Sequence, residues 1–396
     1  MQFSVANQLV HELRSALYAY PEFVFHRHAS LTEDQVPVFV YHSISPDWFE
    51  PQLQYLQANG YQTLSIDQFY QCIAGSKSVS RRSVLLTVDD ARSSFWRFAF
   101  PLLKKYNMRA TLFVIPGRTL EADKCRKNLE DVWSNRAKME DIRELDSEDR
   151  TLCTWPELRE MYASGLVSIE SHTLFHREVY ISEDPKSIVT AQTTFLPYNS
   201  PVTGYFCRED VGCELRLETY LGLPIFESVP LMSGRPFFEF SREALLQFQG
   251  LLRSLEANGD GLRVDRLKEP QVQQFIRDHA NWYRERKSIL RALEDDLALS
   301  SELIQQKIDP EAGHHLCFPY TMGSDLAVEA ARKVGLRSCF WGTIPGHRIN
   351  RPGDDPFYLV RIKNDFIWRL PGRQRKSILN IYAMKLRRRL HHDAGF

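Results

Sequence analysis

The sequence predicts an α/β fold, a distorted (β/α) barrel carrying a long, mostly helical insertion. Three observations predict it. From residue 36 onward, short β-branched or aromatic runs alternate with amphipathic helical stretches, the pattern of parallel strands joined by helices. The most strand-like run, Ser83 to Val88 (SVLLTV), leads straight into two aspartates, and α/β barrels carry their chemistry at the C-terminal ends of their strands. A second apolar run, Leu166 to Glu170, is followed by two histidines, His172 and His176.

Taken in order, Val36 to Tyr41 (VPVFVY) reads as a buried strand. A helix containing Phe49, Leu53 and Leu56 follows it and is stopped by Gly60. Tyr61 to Leu64 resumes an extended run, and Ser65 with Gln68 forms a capping box that starts the next helix. In a capping box each side chain satisfies the other residue's unpaired backbone amide. After Ser83 to Val88 a helical run reaches Tyr106, and Arg109 to Ile115 gives the next strand. Thr154 with Glu157 repeats the capping box ahead of the strand at Leu166. Leu316 to Phe318, Leu336 to Trp341 and Phe357 to Ile362 read as the later strands.

Two stretches break the alternation and read as insertions on the barrel: 121–150, dense in charge, and 181–313, long and mostly helical in period. The expected organisation is therefore an N-terminal helical extension over 1–35, a barrel over 36–368 and a basic C-terminal helix over 369–396. The last segment has two readings, a solvated helix packed on the barrel or a peripheral contact with an anionic membrane surface.

Composition narrows the class. With 43% hydrophobic and 25% charged residues among 396, the chain is in the globular range. Its 50 basic and 50 acidic residues cancel, which removes any global electrostatic footprint for nucleic acid. Seven cysteines without a CxxC pair read as mostly buried thiols in a reducing compartment. The first residues lack a basic start followed by an unbroken apolar run, and no stretch approaches the roughly eighteen apolar residues of a spanning helix. The expected location is the cytoplasm, or its face of the inner membrane.

The chemistry is carried by two clusters. In Thr87 to Asp90 (TVDD), adjacent carboxylates leave a buried strand where the backbone turns, so one can ligate a cation while the other faces a substrate; alone, the pair also reads as a helix N-cap. In Ile169 to His176 (IESHTLFH), two imidazoles four residues apart with one carboxylate would leave open positions on a divalent cation. His42, directly after VPVFVY, reads as a substrate-facing or a capping histidine. His347, in GTIPGHRIN, reads as an exposed loop histidine. The indoles of Trp96, Trp155, Trp341 and Trp368 could stack on a sugar, although core packing is the commoner use.

TVDDARSSF, followed by a helix and RATLFVI, resembles the first motif of the polysaccharide deacetylase family, the NodB-homology or carbohydrate esterase family 4 proteins. HTLFH resembles the second motif, CFPYTMGSD (Cys317 to Asp325) the aromatic-Pro-Tyr-Gly turn, and VFVYHSI with GYQTLS the family's opening segment. The resemblance covers about residues 36 to 345, with the long insertion between the second and third motifs lying outside it. It implies a NodB-type barrel, a divalent cation, most often Zn2+, on Asp90, His172 and His176, and Asp89 as general base. It also implies substrate contacts at Pro319 and Tyr320, with the Tyr320 amide holding an oxyanion, and a late catalytic-acid histidine for which His347 is the nearest candidate. The implied reaction removes acetyl groups from a sugar or glycan intermediate. Hydrolysis of another small amide or ester, or glycan or partner binding without turnover, are the competing readings. Three positions depart from the family pattern: Ala91 and Thr321 stand where glycine is usual, and Cys317 stands where many members have an arginine that orients the base.

Overall fold

A computed structural model describes residues 19–26, 28–32, 34–144, 151–191, 193, 201–214, 216–255 and 264–390. The first 18 residues of the expected N-terminal helical extension and residues 391–396 of the C-terminal segment fall outside these.

The barrel strands follow one another in the predicted order. They are β1 (Val38–Tyr41), β2 (Gln62–Thr63), β3 (Ser83–Val88), β4 (Ala110–Val114) and β5 (Val167–Ser171). Strand β3 has its predicted bounds, β5 is displaced by one residue, and β1, β2 and β4 are shorter than their apolar runs. Between them run α1 (Pro46–Ala58), α2 (Ile66–Ile73), α3 (Phe100–Tyr106) and α4 (Trp155–Ala163). All six residues of β3 are buried, as a central parallel strand covered by helices requires. The Ser65 capping box forms in both directions, Ser65 N donating to Gln68 Oε1 (3.0 Å) and Gln68 N to Ser65 Oγ (3.3 Å). At α4 the Thr154 amide donates to Glu157 Oε2 (2.9 Å), while Thr154 Oγ1 finds no partner and Glu157 also takes the Arg126 guanidinium.

The insertion after β5 is richer than its helical periodicity indicates. It contains an antiparallel sheet of β6 (Glu178–Ile188), β7 (Pro224–Pro230), β8 (Phe237–Glu239) and β9 (Asn281–Tyr283), in the order β7-β6-β8-β9. Helices α5 (Arg242–Leu255) and α6 (Pro270–His279) precede β9, and α7 (Arg286–Lys307) follows it. Two of these strands have three residues each, and β6 shifts register around Pro185, so no alternation long enough to read survives in the sequence.

The chain then returns to the barrel with β10 (His315–Cys317), α8 (Asp325–Lys333), β11 (Ser338–Phe340) and β12 (Ile362–Lys363), and ends on α9 (Ile378–Leu390). The parallel sheet runs β11-β10-β5-β4-β3-β1-β12, with β2 beside β3. Its two edges meet in a seam. The predicted strand from Phe357 to Ile362 is split into a turn at Pro356–Tyr358, a bridge from Leu359 to Phe340, and β12 paired with β1. Within the seam Trp341 N donates to Leu359 O (2.8 Å) and Arg361 N to Gly342 O (3.0 Å). The curled sheet is thereby nearly closed, and residue 361 is held between its first and last strands.

Phe39, Leu86, Val88, Leu112 and Ile169 lie in the main core cluster together with Tyr20, Phe23 and Val24, so the described part of the N-terminal extension packs on the barrel. All seven cysteines are free, and Cys72, Cys153, Cys317 and Cys339 are buried. No helix among the described residues is long and apolar enough to cross a membrane. Trp96, Trp155 and Trp368 are buried, the core role being the one the structure gives them.

Candidate active site

Asp89 and Asp90 follow directly on β3, where the chain turns back through two left-handed residues, Asp90 (φ 71°) and Ala91 (φ 57°). This kink sends the two carboxylates in different directions despite their adjacency. His172 follows β5, its amide donating to Val114 O of β4 (2.8 Å), and the loop to His176 contains two more left-handed residues, Thr173 (φ 66°) and His176 (φ 52°). Side chains from the insertion brace that loop. Asp296 of α7 accepts from Leu174 N (3.1 Å), and Ser300 bonds Ser171 Oγ (2.7 Å). Gly117 presses against it from the other side, where a Cβ would stand 2.5 Å from Leu174 O, so a larger residue would displace the histidine loop.

One ligand atom each from Asp90, His172 and His176 lies within 4.8 Å of the others, and all three residues are buried. His172 Nδ1 bonds the Cys317 carbonyl (2.8 Å), which fixes the ring and turns Nε2 toward Asp90 Oδ1 (3.6 Å); His176 Nε2 is 3.9 Å from the same oxygen. Tetrahedral ligands about 2.0–2.1 Å from a zinc-like ion lie about 3.3 Å apart, so small movements would close the set on a cation. The donor chemistry fits as well. His176 Nδ1 is buried with no hydrogen-bond partner among the described residues, and burial, aided by neighbouring His172, pushes the His176 imidazole down to about 3. A neutral imidazole is the metal-binding form. Burial raises the Asp90 carboxyl, but Arg92 and the histidines outweigh it, and the group lies below its ordinary range.

Asp89 is 2% exposed and both its oxygens are held by Arg361, Nη1 to Oδ1 at 2.6 Å and Nη2 to Oδ2 at 2.8 Å. Burial alone would raise its carboxyl, yet Arg361 and His172 hold it well below the usual carboxylate range. Cys317 Sγ is 3.6 Å from Asp89 Oδ2, with its thiol pushed well up by burial, and His42 Nε2 stands 3.9 Å from that same oxygen with its side chain partly open to solvent. Pro319–Thr321 forms a tight turn after β10, with Tyr320 (φ 56°) and Thr321 (φ 57°) both left-handed and the Tyr320 ring 4.5 Å from that of His176.

The structure therefore gathers Asp89, Asp90, His172, His176, His42 and the Pro319–Tyr320 turn around one point. It does not bring His347 there, for that imidazole bonds Asp354 Oδ2 (3.1 Å) in a bridged loop. Arg361 and Arg92 are site residues that pattern reading passes over. The first had a visible sign, a lone arginine inside the otherwise strand-like FYLVRI, since a charge buried in a strand requires a partner. Glu170 is structural, its buried carboxylate accepting from His315 N (2.8 Å).

The polysaccharide deacetylase family matches residues 76–194. YxkH of Bacillus subtilis is 30% identical over 153 residues, 37% of this chain and 44% of that protein. The poly-beta-1,6-N-acetyl-D-glucosamine N-deacetylase of Staphylococcus aureus (strain MRSA252) is 30% identical over 146 residues, 37% of this chain and 41% of the relative. The chain thus spans less than half the length of the curated relatives it matches. Among solved structures, a de-N-acetylase from Aggregatibacter actinomycetemcomitans superposes with a TM-score of 0.49 at 18% identity, covering 83% of this chain and 94% of the other. IcaB from Ammonifex degensii does so with a TM-score of 0.46 at 19% identity, covering 86% and 96%.

Proposed function

The chain belongs to the polysaccharide deacetylase family, and from that premise we propose that it hydrolyses N-acetyl, or O-acetyl, groups of a sugar or glycan intermediate. The observation that carries the reading is the convergence of Asp90, His172 and His176 beside a second carboxylate, Asp89, whose counter-charge comes from Arg361. Zinc is the cation we infer from two imidazoles and one carboxylate. When bound, it would supply Lewis acidity toward the acyl oxygen and lower the pKa of the attacking water.

The remaining roles fall to the chain itself. Asp89, ionised at neutral pH and oriented by Arg361, accepts the proton of the water as its oxygen adds to the acyl carbon. The carbon–nitrogen bond then breaks, and the departing amine takes a proton. We assign the donor role to His42, which borders Asp89, in preference to His347, which is engaged by Asp354. The turn at Pro319–Tyr320 stands beside His176, and the Tyr320 amide is the oxyanion donor of this proposal. A catalytically silent binding protein is disfavoured by the Arg361–Asp89 pair, because it restores to Asp89 the cationic partner that Cys317 does not supply.

Acetate release from N-acetylglucosamine oligomers in the presence of Zn2+ tests the reading. Wild type releases acetate and Asp89→Asn does not; silence of the metal-loaded wild type toward acetylated sugars, with turnover of small amides or esters, would move the assignment to another hydrolase.

For the partner surface we propose an anionic bilayer, met at the cytoplasmic face of the inner membrane. Helix α9 turns Ile381 and Lys385 inward, Lys385 reaching Asp365 at 3.5 Å, and leaves Leu379, Tyr382 and Leu386 exposed at helical spacing beside an arginine-rich end. An apolar stripe with flanking cations suits an anionic lipid surface.

A further inference from the structure

Arg92 lies two residues beyond Asp90, across the left-handed kink, and the kink folds its side chain back onto that carboxylate. Its Nε (3.0 Å) and Nη2 (2.9 Å) both donate to a single oxygen, Asp90 Oδ2. Its Nη1 donates to Ser43 Oγ (2.7 Å), on the loop leaving β1. The other carboxylate oxygen, Oδ1, is the one directed at His172 and His176. The backbone around Arg92 is pinned too: Ser93 N donates to Thr151 O (2.9 Å), Cys153 N to Ala91 O (2.7 Å) and Cys153 Sγ to Arg92 O (3.4 Å). The guanidinium is thus tied to Ser43 as well as to the carboxylate.

We propose that Arg92 is a positioning residue that divides the two oxygens of Asp90, reserving Oδ2 for itself and leaving Oδ1 alone to a cation. A free carboxylate can bind a metal ion through one oxygen or two, and the two-oxygen mode suits larger ions with higher coordination numbers. Holding Asp90 to one oxygen keeps the coordination number low, which favours Zn2+ over Mn2+ and preserves open positions for water and substrate. Ligand-orienting groups of this kind typically change metal affinity about 10–100-fold when removed.

This inference rests on the cation site proposed above, and the test separates the two. Zn2+ and Mn2+ are titrated separately into metal-free wild type, Arg92→Ala, Arg92→Lys and Ser43→Ala, and the ratio of the two affinities is compared. The lost positive charge acts alike on both divalent ions and cancels in the ratio, so the ratio reports ligand geometry. Arg92→Ala should lower the preference for Zn2+ about tenfold, with Ser43→Ala shifting it less in the same direction and Arg92→Lys between them. Co2+ in Arg92→Ala should show weaker visible absorption than in wild type, as a higher coordination number dictates. Uptake with an unchanged ratio and an unchanged Co2+ spectrum would overturn this inference alone. Failure of wild type to take up any of the ions would overturn the cation reading and this inference with it.

Discussion

Arg361 grips both oxygens of Asp89 from the seam that closes the sheet, at 2.6 and 2.8 Å, while residue 317, on β10 across the site, presents only a thiol 3.6 Å from the same carboxylate. The cationic partner of Asp89 therefore comes from the segment between β11 and β12 and not from β10. Removing one member of a buried pair leaves the other charge without compensation, at a cost of about 3–5 kcal/mol. Arg361→Ala should destabilise the protein by that order in denaturant titrations and abolish acetate release. The double variant Arg361→Ala/Cys317→Arg should recover part of both losses; no recovery would mean that the place of the guanidinium, and not its charge, is what matters.

The turn after β10 gives a second test. Thr321 is exposed and adopts φ 57°, a conformation costly for a β-branched residue. Thr321→Gly should raise stability by up to about 1 kcal/mol, read as a higher unfolding midpoint. Ala91→Gly should be close to neutral, because Ala91, at the same φ, is fully buried and the lost methyl offsets the relief of strain.

Stability should also depend on Asp296. Burial raises its carboxyl to about 6, against partial relief from Arg177 and the Leu174 amide. The folded state then binds the proton more tightly than the unfolded chain, whose value is about 3.9. The contribution is complete below about pH 4 and is lost as pH rises through about 6, up to about 3 kcal/mol in all. Asp296→Asn should flatten the stability profile across this window and be at least as stable as wild type at pH 8. An identical pH dependence in the two proteins would contradict the assignment.

Vesicle co-sedimentation addresses α9. Wild type should bind anionic vesicles at low salt, release them at high salt and ignore neutral vesicles, and Leu379→Ser/Leu386→Ser should weaken binding at least tenfold without altering acetate release. Indifference of wild type to anionic vesicles would remove the membrane proposal.

Most of the barrel was legible because its strands are short apolar runs bounded by caps, and because β3 ends on chemistry that strand ends are known to carry. Asp89, Asp90 and His172 were readable for the same reason, since they come at the ends of such runs, and His176 was readable from its spacing of four residues from His172. The antiparallel sheet of the insertion was not, since three-residue strands such as β8 carry too little alternation to register. Arg361 was hidden for a different reason. Its partner lies 272 positions earlier, and only closure of the barrel through Leu359 and Phe340 brings them together. His347 shows the converse, a plausible residue type whose nearby chain supplies Asp354 as its partner.

Asp90, His172 and His176 are the residues proposed to hold a divalent cation. Elemental analysis of protein purified without chelator, comparing wild type with His172→Ala and Asp90→Asn, tests this assignment most directly. Wild type should carry near-stoichiometric zinc and both variants should lose it; a wild type with no divalent metal that takes none up on titration would overturn the assignment of these ligands.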